Sequence, residues 1–203
     1  MTFRQAAVVF ISSGAFSIVA MAQTTSRSQI EAALDLWSGR ASTRNAILRV
    51  NHDPVPALTT IAQSKRESES RRVHAIALLA TFKIARAERA LKKIANDTNP
   101  KYRCSALQAL AELNSRSVIP VLIGKLDDHF VCMTAVSTDP AEEREVYVSD
   151  EAVRLLEQIT GQSFGQEGPN GHRGTSPWKE WWAKQERSSK APRADSPRRR
   201  RSS

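Results

Sequence analysis

The sequence predicts an all-α protein: a short α-solenoid of about four helix pairs, with a small hairpin-like insertion. The main observation is an internal repeat, because Arg72–Leu79 aligns with Arg103–Leu110 at a spacing of 31 residues. Asn96-Asp97 falls on Asp127-Asp128 at the same spacing. Within each unit the apolar residues recur every three or four positions, which is typical of amphipathic helices and not of strands. We therefore expect each unit to contain two helices.

The first 22 residues have the pattern of a secretory signal peptide. Arg4 provides a positive start, residues 6–20 form an apolar stretch, and Ala20-Met21-Ala22 is a small-x-small cleavage site. A membrane anchor is the alternative, but this stretch is shorter than the roughly 20 apolar residues that span a bilayer. No cysteine follows it, so no acylation site is present. We expect cleavage near Ala22, no transmembrane span in the mature chain, and a periplasmic or extracellular location.

Within the mature chain, residues 23–183 are expected to form one repeat domain. Ile30 to Trp37 gives an amphipathic opening helix that caps the first repeat. A first helix pair follows at Thr43 to Val50 and residues 55–62. Asn99-Pro100 places an N-cap residue before a proline in the first helical position, which predicts a helix start. Asn114-Ser115 marks a turn before a helix from Val118 to Leu126.

The repeat pattern breaks after Asp128, where residues 129–149 are read as an insertion. Val131 to Val136 and Glu145 to Val148 are β-branched stretches on either side of the turn-like Thr138-Asp139-Pro140, which predicts a hairpin. Helical spacing resumes at Asp150. A last helix opens at Ser176-Pro177, and its three tryptophans at i, i+3 and i+4 share one face: Trp178, Trp181 and Trp182. This face is expected to be a structural plug, and a ligand-binding aromatic shelf is the alternative.

The positive charge is concentrated at the C-terminus. Of the net charge of +9, residues 183–203 carry +6, which leaves +2 on the repeats once Arg4 is removed with the signal peptide. Residues 184–203 are predicted to be a disordered basic tail, because Ser, Pro, Arg and Lys give no apolar surface to bury. The tail is either simply solvated or binds an anionic surface or polymer through Arg198, Arg199, Arg200 and Arg201. No specific nucleic-acid site is expected.

Residues 97–103, followed by an Ala-x-x-Ala-Leu helix and the Val118–Leu122 helix, resemble the HEAT-like repeats of the phycobilin-lyase type, in an exported bacterial form. The resemblance covers residues 41–128 and 150–183, and it implies a HEAT α-solenoid. It also implies structural ion pairs between repeats, which would join Arg72 and Arg103 to Asp97 and Asp128. The lyase activity of some relatives does not carry over, since a fold does not establish a function.

Two cysteines, Cys104 and Cys132, leave two alternatives. Export to an oxidising compartment would permit one disulfide between them. Cys104 also takes the place of Val73 in the repeat, as a small buried hydrophobe would, and this favours free thiols. A metal site near His129 has weak support, because paired ligands at paired spacings are absent. No metal or cofactor is therefore predicted.

The sequence contains no nucleophile elbow, phosphate-binding glycine loop or His-Glu-x-x-His motif. The prediction is a non-catalytic protein-protein interaction or scaffold module, and the alternative is an exported enzyme or enzyme subunit of lyase-like architecture. The second helices of such repeats line the concave side. One of them carries four basic residues and is either a solvated face or the predicted partner-binding surface: Arg86, Arg89, Lys92 and Lys93.

Overall fold

A computed structural model describes residues 26–136, 143–165, 172 and 174–190 of the 203-residue chain. Three predicted features lie outside the described residues. They are the signal peptide of residues 1–22, the turn at 138–140, and the arginines at 198–201. No helix in the described part is long and apolar enough to cross a membrane.

Helices dominate the described chain. In order they are α1 (26–35), α2 (Arg40–Val50), α3 (Val55–Gln63), α4 (Glu69–Leu79), α5 (Ala85–Ile94), α6 (Pro100–Glu112), α7 (Ile119–Ile123), α8 (Val148–Thr160) and α9 (Ser176–Lys190). Two strands, β1 (Val131–Val136) and β2 (Glu143–Tyr147), lie between α7 and α8. The predicted all-α fold with a small hairpin is therefore confirmed.

The helices form two layers. The first layer contains α2, α4, α6 and α8, and successive members pack against one another. The second layer contains α3, α5, α7 and α9, with α3 against α5 and α7 against α9. Each first-layer helix and the following second-layer helix make one pair, which gives the four pairs of a short solenoid. The pairs α4–α5 and α6–α7 are called the second and third repeats below.

The core follows the 31-residue spacing. Ile76 and Leu79 of α4 are fully buried, and so are their counterparts Leu107 and Leu110 of α6. Each such side chain contributes roughly 1.5–3 kcal/mol by leaving water. At the open N-terminal end, α1 buries Ile30 and Leu34 completely, as expected of a helix that caps a repeat array.

Helix boundaries follow local chemistry. The side chain of Asn99 accepts a hydrogen bond from the Lys101 amide at 2.9 Å, and Pro100 occupies the first turn of α6. The predicted helix from Val118 to Leu126 is wrong in length. A 3₁₀ turn over Arg116–Val118 leads into α7, which ends at Ile123 and gives way to turns at 124–127.

The insertion is an antiparallel hairpin in which Val131 pairs with Tyr147, and Met133 with Val146. The register shift between these pairs leaves Cys132 as the extra residue of a β-bulge. A bulge re-aims its side chain, and Cys132 here forms a disulfide with Cys104 of α6. The prediction of free thiols is therefore wrong. The 31-residue alignment explains why Cys104 is buried, but it does not show what lies beside it.

The last helix is longer than predicted. Residues 184–190 belong to α9, so the prediction that the tail begins at residue 184 is wrong, and residues 191–203 lie outside the described residues. Side chains there bond to backbone carbonyls one turn earlier. Arg187 Nε donates to the carbonyl of Ala183 at 3.1 Å, and Ser188 Oγ donates to that of Lys184 at 3.0 Å.

Candidate functional site

Arg72 and Arg103 form a ladder between repeats and take no part in an exposed site. Arg72 Nη2 lies 2.7 Å from Asp97 Oδ2, and Arg103 Nη2 lies 2.8 Å from Asp128 Oδ1. The backbone carbonyl of Asp97 also accepts a hydrogen bond from Arg103 Nη1 at 3.0 Å. Both guanidinium groups are buried. Their charge is therefore used to join repeats, as the family resemblance implied.

The four predicted partner-binding cations all lie on α5, but two of them are already engaged. Arg86 Nη1 is 2.8 Å from Asp53 Oδ2, and Lys92 Nζ is 2.6 Å from Glu88 Oε1. Hydrogen bonds from Lys92 and Ser117 hold the pKa of the Glu88 carboxyl below its usual value. These contacts weaken the attraction that Arg86 and Lys92 can exert on a ligand.

Arg89 and Lys93 are one turn apart on α5 and are exposed. No carboxylate in the described part of the chain lies within 4 Å of either one. Arg116, also exposed, begins the 3₁₀ turn that leads into α7. We call Arg86, Arg89, Lys92, Lys93 and Arg116 the basic surface. Among the described residues, only Asp53 and Glu88 are paired with it, so it keeps a net charge of +3 within this part of the chain.

The three tryptophans of α9 separate into two roles. Trp178 is 1% exposed and packs edge-on against Phe164, with ring centroids 4.7 Å apart. Trp181 and Trp182 are only half-buried and line a groove of about 710 Å³ between α7, the end of α8 and α9. We call this the tryptophan groove. Its other lining residues are Asn114, Arg116, Ile119, Ile159, Thr160, Gln185, Glu186 and Ser189.

Sequence reasoning missed Arg116 and the groove itself. Arg116 aligns with Ala85 in the preceding repeat, so the repeat carries no basic residue at this position to draw attention to it. The groove combines residues from three helices, and its position depends on the angle at which α9 docks. The helical spacing of the tryptophans predicts a shared face, but not that part of it stays open.

A second cavity, of about 340 Å³, lies under the hairpin and contains two buried carboxylates. Asp150 Oδ2 lies 2.9 Å from His172 Nδ1 and accepts the Tyr147 amide at 3.1 Å. Glu151 accepts two hydrogen bonds from Arg154, which raises the pKa of that guanidinium. Asp150 thus joins α8 to β2 and to residue 172, whereas Glu151 bonds within α8 and accepts a hydrogen bond from Gln108 of α6.

The candidate metal ligands near His129 are also engaged elsewhere. Cys132 is in the disulfide, Asp128 pairs with Arg103, and Asp127 pairs with Lys179 of α9. Among the described residues, no three His, Cys, Asp or Glu side chains are grouped as a metal site would require.

Residues 55–136 match the family described as HEAT repeats. The matched range covers α3 to β1, which includes the whole of the second and third repeats. No curated protein and no solved structure matches the chain.

Proposed function

Because the chain carries HEAT repeats over residues 55–136, we propose that it is a non-catalytic module that binds an acidic segment of a protein partner. HEAT repeats generally mediate protein-protein interaction, and the partner here would lie along the second layer of helices. The observation that carries this proposal is the pair of exposed cations on α5, Arg89 and Lys93, with which no carboxylate of the described chain forms an ion pair.

The physical basis is charge complementarity. A basic surface attracts an acidic segment, increases its association rate and excludes basic competitors. These charges are exposed to solvent, so salt screens them over a distance of about 8–10 Å at physiological ionic strength. Binding should therefore weaken as salt rises.

The test uses a fluorescent peptide of eight glutamates and the full chain. We expect the double variant Arg89→Glu with Lys93→Glu to lose at least about tenfold in affinity, since two attractions become two repulsions. The matched control exchanges two exposed cations outside the basic surface, Arg49→Glu with Arg66→Glu. Both variants carry the same net charge. Equal losses of affinity in the two variants would show that the overall charge alone causes the effect, and would refute the proposed surface.

We further propose that the protein works outside the cytoplasm after cleavage near Ala22. The signal-peptide pattern supports this, and so does the Cys104–Cys132 disulfide, since such bonds persist mainly in oxidising compartments. Mass spectrometry of the protein from fractionated cells should find a chain that begins at Gln23 in the exported fraction. An intact Met1 confined to the cytoplasm would contradict it.

The basic tail is proposed as a separate anion-binding element through Arg198 to Arg201. Charged side chains that release counterions on binding a polyanion make the affinity fall steeply with salt. A chain ending at Lys190 keeps all of α9 and should elute from heparin at markedly lower salt than the full chain. Equal retention would instead place heparin binding on the basic surface, and Arg89→Glu with Lys93→Glu in the shortened chain would then reduce it.

A further inference from the structure

We propose that the tryptophan groove holds an apolar side chain of the same acidic segment, so that the partner binds through one anchor and a nearby run of carboxylates. This inference rests on the proposed function and adds a second requirement to it. An acidic run alone would bind weakly. An acidic run with an aromatic or large aliphatic residue at the right distance would bind more tightly.

The groove has the construction of an anchor site. The rings of Trp181 and Trp182 have centroids 6.2 Å apart and are inclined at 41°. Beneath them the buried ring of Trp178 meets Trp181 edge-on, with centroids 5.7 Å apart, and so supports the wall. Ile119 and Ile159 add aliphatic lining from α7 and α8. These two isoleucines and the two half-buried tryptophans form the apolar part of the lining, and the other lining residues are polar. In binding pockets, apolar and aromatic side chains hold apolar groups while polar groups set orientation.

The groove continues the basic surface, which indicates what binds there. Arg116 belongs to both, because it lines the groove and begins the turn before α7. The next residue, Ser117, accepts a hydrogen bond from Lys92 Nζ at 3.3 Å and donates a short one to Glu88. These bonds fasten the turn to α5. A ligand in the groove therefore lies beside Arg116, and the α5 cations lie beyond Arg116.

Helix spacing gives the distance between anchor and acidic run. Hydrogen bonds of Ser117 join α5 to the turn before α7, and α7 packs against α9. With the spacing of packed helices, about 8–10 Å, taken for each of these two steps, the path from α5 to α9 covers roughly 16–20 Å. An extended peptide advances about 3.3 Å per residue. The anchor should therefore lie about five or six residues from the carboxylates that face Arg89 and Lys93.

The chain's own C-terminal tail is a less suitable occupant. It follows α9 directly and could reach the groove, but residues 191–203 are strongly basic. Arg116 lines the groove and the α5 cations lie next to it, so like charges would repel the tail. Glu186 is the single acidic residue in the groove lining. Charge thus favours an acidic partner over the tail.

The probes are two labelled peptides that each contain four glutamates, a five-residue Gly-Ser spacer and one terminal position, phenylalanine or alanine. Each peptide is made in both chain directions. Fluorescence anisotropy with the full chain should show that the phenylalanine peptide binds about ten times more tightly in at least one direction, as expected for burying one aromatic side chain. It should also quench tryptophan emission more strongly than the alanine peptide does.

Three variants locate the anchor. Gln185→Phe should fill the groove from the exposed side of α9, and Trp182→Ala should remove part of its wall. Both should abolish the preference for phenylalanine. Ala183→Phe is the matched control, because residue 183 is exposed on the same helix and does not line the groove. It should keep the preference. Circular dichroism establishes that each variant is folded.

The outcomes separate the two proposals. If both peptides bind equally in both directions and depend on Arg89 and Lys93, the anchor is wrong and the acidic surface stands. If neither peptide binds, the proposed function fails. A preference that survives Gln185→Phe would place the anchor elsewhere and overturn the inference. If a chain ending at Lys190 binds the phenylalanine peptide far more tightly than the full chain, the tail is the occupant and the inference is also overturned.

Discussion

The second and third repeats share one arginine at equivalent positions, but its surroundings differ. Arg72 lies under the ring of Tyr102, with 3.6 Å from its Cζ to the ring centroid, and Tyr102 is 5% exposed. Arg103 faces Phe130 at 5.3 Å, and Phe130 is 68% exposed. Tyr102 comes from the helix of the next repeat, whereas Phe130 comes from the insertion. Both repeats therefore have the ion pair, but only in the second repeat is the ring over the arginine buried.

This difference shows how a repeat array is closed when the next unit does not follow directly. Most stabilisation in a solenoid comes from contacts between neighbouring units. In the second repeat, α4 and α5 make these contacts with α6. The third repeat reaches its neighbour α8 only after the hairpin, and specific links supplement the packing there. They are the Cys104–Cys132 disulfide, the Asp127–Lys179 ion pair and the buried ring of Trp178.

The largest expected effect is on the closing helix. Trp178→Ala should lower the free energy of unfolding by about 3–5 kcal/mol, because it leaves a large cavity beside Phe164. Urea denaturation followed by circular dichroism measures the change, and Glu180→Ala on an exposed position of α9 is the control. A loss below about 1 kcal/mol would show that α9 is an accessory to the fold and not its closure.

The disulfide should contribute slightly less. Cys104→Ala with Cys132→Ala opens a link with a sequence separation of 28, for which chain entropy gives about 3.5 kcal/mol. The unaltered chain, measured with and without reductant, is the control, and the double variant should resemble the reduced chain. If reduction leaves the unfolding midpoint unchanged, the hairpin is held by packing alone and this part of the comparison is wrong.

Substitutions of the two aromatic rings test whether the surroundings of Arg72 and Arg103 differ in their effect on stability. Tyr102→Leu should cost about 1–2 kcal/mol of unfolding free energy, since it removes a buried ring and its contact with the Arg72 guanidinium. Phe130→Leu should cost less than about 0.5 kcal/mol, because the exposed ring loses little. Paired urea titrations provide the measurement. Equal costs would mean that the insertion replaces the missing repeat fully.

The sequence predicted the regular part of this fold well, and physics explains why. Periodicity reports local burial, so Ile76, Leu79, Leu107 and Leu110 identify the core of the repeats. The disulfide was weighed but free thiols were favoured, because the β-bulge at Cys132 depends on pairing between strands, which alternation alone does not show. The α5 cations were proposed from sequence as a binding surface, and that role stays a prediction. The missed residue was Arg116, whose position against α5 depends on hydrogen bonds from Ser117.

The smallest expected effect concerns Glu88, which links stability to the basic surface. Its folded pKa is lowered from 4.5, chiefly by hydrogen bonds from Lys92 and Ser117. A carboxyl with a lowered folded pKa stabilises the protein above its unfolded pKa, and this contribution disappears as the pH falls through the folded value. Glu88→Gln should therefore cost about 0.5–1 kcal/mol at pH 7, the scale of a partly exposed ion pair, and this cost should shrink as the pH falls through the folded pKa.

The same substitution should act in the opposite direction on binding. Without the Glu88 carboxylate, Lys92 is no longer neutralised, so the net charge of the basic surface rises from +3 to +4. The affinity for the eight-glutamate peptide at pH 7 should increase about two- to fivefold while stability falls, and the gain should shrink at high salt. Unfolding and anisotropy titrations on one preparation measure both changes. A loss of affinity would show that Glu88 supports the surface and does not screen it.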